Sequence, residues 1–365
     1  MRLRLVRSSL RAAGAAAALL AGFALFLRSV PARTDPMDRI LSFDGGSGWI
    51  NSAPLSPADL RGKVVLVDFW EYTCINCLRT LPYLREWYRR YRDQGFVIIG
   101  VHTPEFDFSG RRSNVVAAAK RLGVVWPIVM DERFTIWKRY GNSVWPHEYL
   151  YDQKGSLVDS VIGEGAYPQT EARIAALLQA SNPRLALPAV MPLLPQDSYD
   201  KPGAVCYPHT PELLVGRNPI ADAPASANYA QDTDYADTAT SPQDGAIYLQ
   251  GFWHLESEAA VSGESNGYVA LRYHSIQLVV VMRPESGGAI RVNVTQDGKP
   301  VAKEDAGKDL RYDERGRSYV TVDAPRAYDV VMNARFGTHD LELSPASSGL
   351  GVCDFAFESC EVPRK

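Results

Sequence analysis

No excess of either charge sign runs through this chain: its 39 basic and 42 acidic residues leave a formal charge of −3. That excludes the global cationic field with which nucleic-acid binders meet a polyanion. Acidic residues are absent before Asp35, so the first stretch is purely basic, carrying Arg2, Arg4, Arg7, Arg11 and Arg28. From Arg33 onward 34 basic residues face 42 acidic ones, a charge of −8. No internal repeat occurs, and no low-complexity tract beyond an alanine-rich segment near the start. With 365 residues, 46% hydrophobic and 22% charged, the chain is long and apolar enough for two domains with cores. A disordered or fibrous protein is thereby excluded.

What the front end contains is sixteen uncharged residues, Ala12 to Leu27, with four arginines before them and Arg28 after. This is the layout of a secretory signal. Sixteen lies just under the roughly 17 to 25 residues that span a bilayer, so residues 1–32 read as a signal peptide or an uncleaved signal anchor in which 12–27 sit in the membrane. Val30 and Ala32 are small residues before a cleavage point, and no cysteine lies nearby to take a lipid. The rest of the chain is expected outside the cytosol, in the cell envelope or periplasm, where cysteine pairs oxidise.

From Ser47 to about Ala180 apolar runs alternate with amphipathic ones, the pattern of a largely parallel sheet with helices. The strongest strand is Lys63 to Trp70, apolar on both faces. A helix from Ile75 to about Arg92, a strand from Phe96 to Val101, a helix around Asn114 to Leu122 and a strand at Ile128 to Met130 follow. A short helix near Phe134 to Tyr140, a hairpin pairing Glu148–Tyr151 with Leu157–Ile162 about the turn at 152–155, and a helix at Thr170–Gln179 complete the unit. Ten of the 24 prolines then fall between Pro183 and Pro242, which marks a linker at 181–200. From Ala246 only short strand-like segments remain, including Tyr268–Tyr273, Ile276–Met282, Tyr328–Met332, Asp340–Leu343 and Val352–Phe357; they predict an antiparallel β-sandwich over 201–365.

Cys74 and Cys77 form a Cys-x-x-Cys directly after the strongest strand and at the start of a helix. A helix N-terminus offers unpaired N–H groups and partial positive charge, both of which stabilise a thiolate. One helical turn brings the second sulfur within bonding reach, so Cys77 can resolve a mixed disulfide formed by Cys74. The bland alternatives are half of a zinc site, for which Cys206, Cys353 and Cys360 supply no second pair, and a structural disulfide, whose tight loop gains little. No cofactor beyond the Cys74–Cys77 couple and no metal is expected.

Val67-Asp-Phe-Trp70, Cys74-Ile-Asn-Cys77 and Pro82 resemble the active-site segment of the thioredoxin superfamily. Trp49-Ile-Asn-Ser-Ala-Pro-Leu55 and Leu60-Arg-Gly-Lys-Val-Val-Leu66 are similar to its exported TlpA-like branch. Trp70-Glu-Tyr-Thr-Cys-Ile-Asn-Cys77, Gly100-Val-His-Thr-Pro-Glu-Phe106, Trp145-Pro-His-Glu-Tyr-Leu150 and Thr210-Pro-Glu-Leu-Leu-Val-Gly216 resemble, more narrowly, the C-terminal region of DipZ-type proteins. The resemblance implies an α/β thioredoxin-like domain at 33–180 followed by an all-β sandwich of the jelly-roll, carbohydrate-binding-module-like type. It implies an exported thiol:disulfide oxidoreductase acting on protein disulfides, and, because the multi-span domain of DipZ proteins is missing from this sequence, a separate membrane electron donor.

The same resemblance assigns Pro146 as a cis-proline beside the sulfurs, with the Trp145 backbone facing an extended substrate. Asp68, six residues before Cys74, takes the place of the buried aspartate that accepts a proton from the second cysteine. In an apolar strand its carboxyl is expected to ionise late. Trp70, Glu71, Tyr72, Glu105 and His102 are further candidates to face the substrate or tune the cysteines. Ile75 and Asn76 add no cation between the two sulfurs, which favours a reductase or isomerase over an oxidase. The alternatives are a thiol peroxidase, against which stands Glu71 where a threonine is needed three residues before the cysteine, and a glycan- or protein-binding module on a redox scaffold.

In the second domain Cys353 alternates with Phe355 and Phe357 and is expected to face the sandwich core. Cys353 and Cys360 lie about 23 Å apart along an extended strand, too far to bond, so Cys206 is a candidate to bridge to one of them. Trp253, Tyr268 and Tyr273 are candidates for a sugar-stacking platform.

Overall fold

The apolar run after Lys63 becomes β2 (Val64–Trp70), all seven residues of which are buried in the computed structural model. That model describes residues 40–362, apart from 41, 196, 198, 224–229 and 264–266. The signal-like segment 1–32 therefore lies outside the described residues, among which no helix is long and apolar enough to cross a membrane.

Around β2 stand β1 (Gly48–Ile50), β3 (Phe96–His102), β4 (Ile128–Met130), β5 (His147–Tyr151) and β6 (Leu157–Ile162), in the order β1-β4-β3-β2-β5-β6. The β2–β3–β4 core is parallel; β1, β5 and β6 run antiparallel to their neighbours. Helices α1 (Ile75–Tyr91), α2 (Arg112–Leu122), α3 (Thr135–Arg139) and α4 (Tyr167–Ser181) pack on this sheet. Pro82 lies inside α1. Its missing N–H deprives the helix of one i→i−4 bond, the usual cause of a bend. Gly100 sits on β3 beside β2, where a Cβ would come within 2.8 Å of Trp70 Nε1, so only glycine allows the indole to lie there.

The proline-rich stretch is no free tether. Met191 is buried, its N–H donates to Glu171 at 2.8 Å, and the Leu194 N–H donates to the Tyr83 hydroxyl at 3.0 Å. Its backbone groups find partners on α1 and α4 while Leu185, Leu187 and Leu193 cover the α/β core.

The second unit is all β, with short strands β7 (Val205–Cys206), β8 (Leu213–Leu214), β9 (Asp232–Tyr235), β11 (Ala260–Ser262), β14 (Lys299–Pro300), β15 (Arg311–Tyr312) and β19 (Cys360–Glu361) around the longer ones. Its backbone is two long strands, β12 (Tyr268–Pro284) and β17 (Arg326–Pro345), each replacing two segments expected to be separate. Their pairing slips near Ser275–Gln277 and again near Leu278–Val279. Such irregularities bend a strand. Each long strand thus serves both layers: β12 pairs with β10 (Ile247–Leu255) through its first half and with β18 (Leu350–Glu358) through its second. β13 (Ile290–Gln296) and β16 (Ser318–Val322) extend the sheet beyond β17. The result is a β-sandwich with its own apolar core, which contains Trp253, Tyr273, Tyr328 and Phe355. Trp253 and Tyr273 are wholly buried there, so they form no sugar-stacking platform.

Cys206, on β7 (Val205–Cys206), is bonded to Cys360, on β19 (Cys360–Glu361). Cys353 is free and buried, but on the other side from that expected. The register of β12 against β18 slips at Met282, leaving Cys353 as the extra residue. The bulge turns its side chain out of the sandwich core and into the apolar cluster shared with the α/β domain, whereas Phe355 and Phe357 remain inside.

Candidate functional site

Cys74 is the N-cap of α1, with φ −65° and ψ 114°, and its Sγ accepts the Cys77 N–H at 3.2 Å. The sulfur therefore occupies the place where a serine or aspartate oxygen would satisfy the first helical donors. Cys74 is partly exposed and Cys77 is fully buried behind it. Burial pushes the Cys77 thiol well above its usual range, and the neighbouring Cys74 sulfur and the Asp68 carboxyl push in the same direction. One sulfur is thus open to a partner while the other needs help to lose its proton.

Asp68 supplies a group of the right kind. It lies in mid-β2, fully buried, with neither oxygen hydrogen-bonded, and desolvation raises it to about 8. Directly across from it on β5 stands Glu148, also buried and raised well above the carboxylate range by desolvation and then by Asp68 and Asp159. Sequence reasoning passed over Glu148, although a carboxylate inside a strand apolar on both sides was the available signal.

The Trp145–Pro146 bond is cis, and the Pro146 carbonyl accepts from the Gly163 N–H at 2.9 Å. Trp145 packs on Trp137 at 4.4 Å between ring centroids. Trp70, Glu71, Tyr72 and His102 lie inside the protein and present no surface to a substrate. Glu71 accepts the Thr73 N–H at 2.5 Å and the Cys74 N–H at 3.1 Å, so it fixes the turn into α1. Burial raises its pKa and these donors hold it down. His102 stacks on Tyr72 at 5.6 Å and is kept neutral by desolvation, which lowers it to about 3. Glu105 is raised to about 8 by burial and then by the carboxylates of Glu212, on the sandwich side, and Glu71.

Two arginines tie the domains together. Arg79, two residues beyond Cys77, donates to Asn76 (3.2 Å), Glu164 (2.9 Å), Gln277 (3.0 Å) and Glu358 (2.7 Å), the last two on the sandwich. Arg283 of the sandwich lies over the Phe108 ring at 5.9 Å and donates to Glu256 at 2.5 Å. Nothing in the sequence pattern marked Arg79, because its partners lie up to 279 residues away.

Residues 47–160 match the AhpC/TSA family, and residues 210–357 match the thioredoxin-like C-terminal domain family. Each of the two domains thus matches one family. Among curated relatives, DipZ of Mycobacterium tuberculosis is 33% identical over 316 residues, covering 86% of the chain and 42% of the relative. The chain therefore spans about two fifths of the length of the DipZ proteins it matches. The thiol-disulfide oxidoreductase ResA of Bacillus anthracis is 32% identical over 113 residues, 31% of the chain and 62% of the relative. A solution structure of a thioredoxin-like protein in the oxidised form overlies 40% of the chain and 97% of its own, at 22% identity and a TM-score of 0.36.

Proposed function

We propose that this thioredoxin-like protein is a thiol:disulfide oxidoreductase that reduces or isomerises protein disulfides through the Cys74–Cys77 couple. The observation that carries the reading is the Cys74 sulfur at the α1 N-cap, accepting the Cys77 N–H and partly exposed, with Cys77 enclosed behind it. In the reducing direction the Cys74 thiolate attacks one substrate sulfur; a Cys74–substrate disulfide forms and the other substrate sulfur leaves as a thiolate. Cys77 gives its proton to Asp68 and attacks Cys74, so the Cys74–Cys77 bond forms and the second substrate sulfur departs. The enzyme ends oxidised by two electrons. A separate membrane electron donor restores the dithiol, and Pro146 with the Trp145 backbone lines the substrate side.

The protein is placed in the cell envelope, exported or anchored by residues 12–27. The basic, apolar front end and the Cys206–Cys360 bond, of a kind that persists in oxidising compartments, support this. The AhpC/TSA match raises thiol peroxidase as a second reading, but the position three residues before Cys74 is Glu71, already engaged with Thr73 and Cys74 backbone donors. Insulin turbidity with a dithiol donor tests the choice: activity is expected in the parent and lost in Cys74→Ser. An inactive parent overturns the reading, and peroxide consumption far faster than insulin reduction transfers it to the peroxidase.

A further inference from the structure

On a helix, residues four apart share a face. Cys74, Leu78 and Pro82 form such a stripe on α1, and all three are partly exposed. Leu78 begins about 6 Å along the axis from Cys74, at 1.5 Å per residue. It does not face open solvent. Leu78 and Pro82 form one wall of a cleft of about 930 Å³ whose opposite wall is the sandwich, with Ile276, Met332 and Glu358. Glu164, also in the lining, follows Gly163, whose N–H binds the Pro146 carbonyl. The cleft therefore begins one helical turn beyond Cys74 and one residue beyond the Gly163 that binds the Pro146 carbonyl, and Arg79 lies in its lining, bonded to Asn76 on one side and Gln277 on the other.

The lining is chemically specific. Met332 and Val362 are 37% and 41% exposed, an apolar offering on otherwise polar strands. Five carboxylates face three cations across the space. A cleft of this size and mixed polarity is in the range that holds a ligand segment rather than isolated water.

We propose that the cleft between α1 and the sandwich binds an extended segment of the disulfide-bearing substrate protein, apolar and net positive in charge, next to the sulfur that Cys74 attacks. This rests on the oxidoreductase reading above and gives it a substrate class. The sandwich is then half of the substrate site, and protein disulfides are favoured over small ones because only a polypeptide reaches both walls.

Two measurements test it. The first compares kcat/KM on insulin with that on 5,5′-dithiobis(2-nitrobenzoate) for the parent and Met332→Asp. The ratio is expected to fall about tenfold, through KM, as a contact worth about 1.4 kcal/mol is lost. The second uses two synthetic disulfide peptides differing only in lysine or glutamate flanks. The lysine form is expected to have the lower KM by about two- to fivefold, the yield of one exposed charge pair. Should Met332→Asp unfold the sandwich, Glu304→Lys is used instead, with the lysine preference expected to shrink. An unchanged insulin ratio or a preference for the glutamate peptide overturns the cleft proposal while leaving the oxidoreductase reading intact. No turnover of either disulfide class by the parent overturns both.

Discussion

The Cys206–Cys360 bond joins positions 154 residues apart and encloses nearly all of the sandwich. Closing a loop of that length removes denatured-state entropy of about 2.1 + 1.5R ln n cal/mol/K, which is about 5 kcal/mol at 25 °C. The native state is prepared for it, since β7 and β19 pair in register at these two residues. Replacing both cysteines by serine should therefore destabilise the sandwich by up to about 5 kcal/mol. With a guanidinium slope of about 4 to 6 kcal/mol/M for a chain of this size, the midpoint should fall by roughly 1 M. The assay is equilibrium unfolding of the parent and of Cys206→Ser/Cys360→Ser, followed by far-UV circular dichroism and tryptophan fluorescence. Midpoints equal within about 0.1 M would refute the reasoning: the denatured chain would then hold the two ends together without the bond, and the entropic account would fail.

Arg79→Met should cost about 3 kcal/mol, because Glu164 and Glu358 are then left mostly buried without their shared cation; adding Glu358→Gln should recover part of it in a double-mutant cycle. Cys353 is buried and held up at about 12 by desolvation, so iodoacetamide at pH 8 should label it only after denaturation, as read by peptide mass spectrometry. Labelling of Cys353 in the folded protein would mean that the domain interface opens readily. Glu105 and Asp68 ionise near 8 in the folded protein and near 4 when unfolded, so the stability tied to their neutral forms is whole below pH 4 and is lost as pH rises through 8. Glu105→Gln should accordingly shrink the drop in Tm between pH 5 and pH 8; an equal drop in parent and variant would contradict the assigned burial. His102 acts in the opposite direction, its contribution being lost as pH falls from 6.5 toward 3.

The α/β half was readable because its signals are local. Val64–Trp70 is apolar on both faces, the Cys-x-x-Cys follows it within a few residues, and each helix and strand carries its own periodicity. In the sandwich the strand positions were legible but their continuity was not. His274 and Ser275 read as a break between strands, while the structure carries β12 on through a bulge at that point. A bulge adds one residue without changing composition, so alternation counted from Phe355 places Cys353 on the wrong face. Trp253 and Tyr273 were open to a surface role for a related reason: an aromatic in a strand faces either side with equal propensity, and only the packing of two layers decides.

What the sequence concealed most completely is the dependence of one domain on the other. The cluster that encloses Cys77 and Tyr72 also contains Ala259, Val261, Val279, Val281, Ala327, Cys353 and Ala356 from the outer face of the sandwich. That face is apolar because it is covered, in part by the loop at Asp107 and Phe108, where Arg283 lies over the Phe108 ring and Glu258 accepts the Asp107 N–H. Arg79 adds directional bonds to this non-directional contact, and it does so from the turn that follows the second sulfur. A rotation of the sandwich that keeps the Gln277 and Glu358 bonds therefore moves Arg79 against Asn76, between the two cysteines, and Glu164, beside the cis-proline loop. The orientation of the second domain and the setting of the redox turn are in this way one mechanical problem, coupled through the shared apolar cluster and the Arg79 guanidinium.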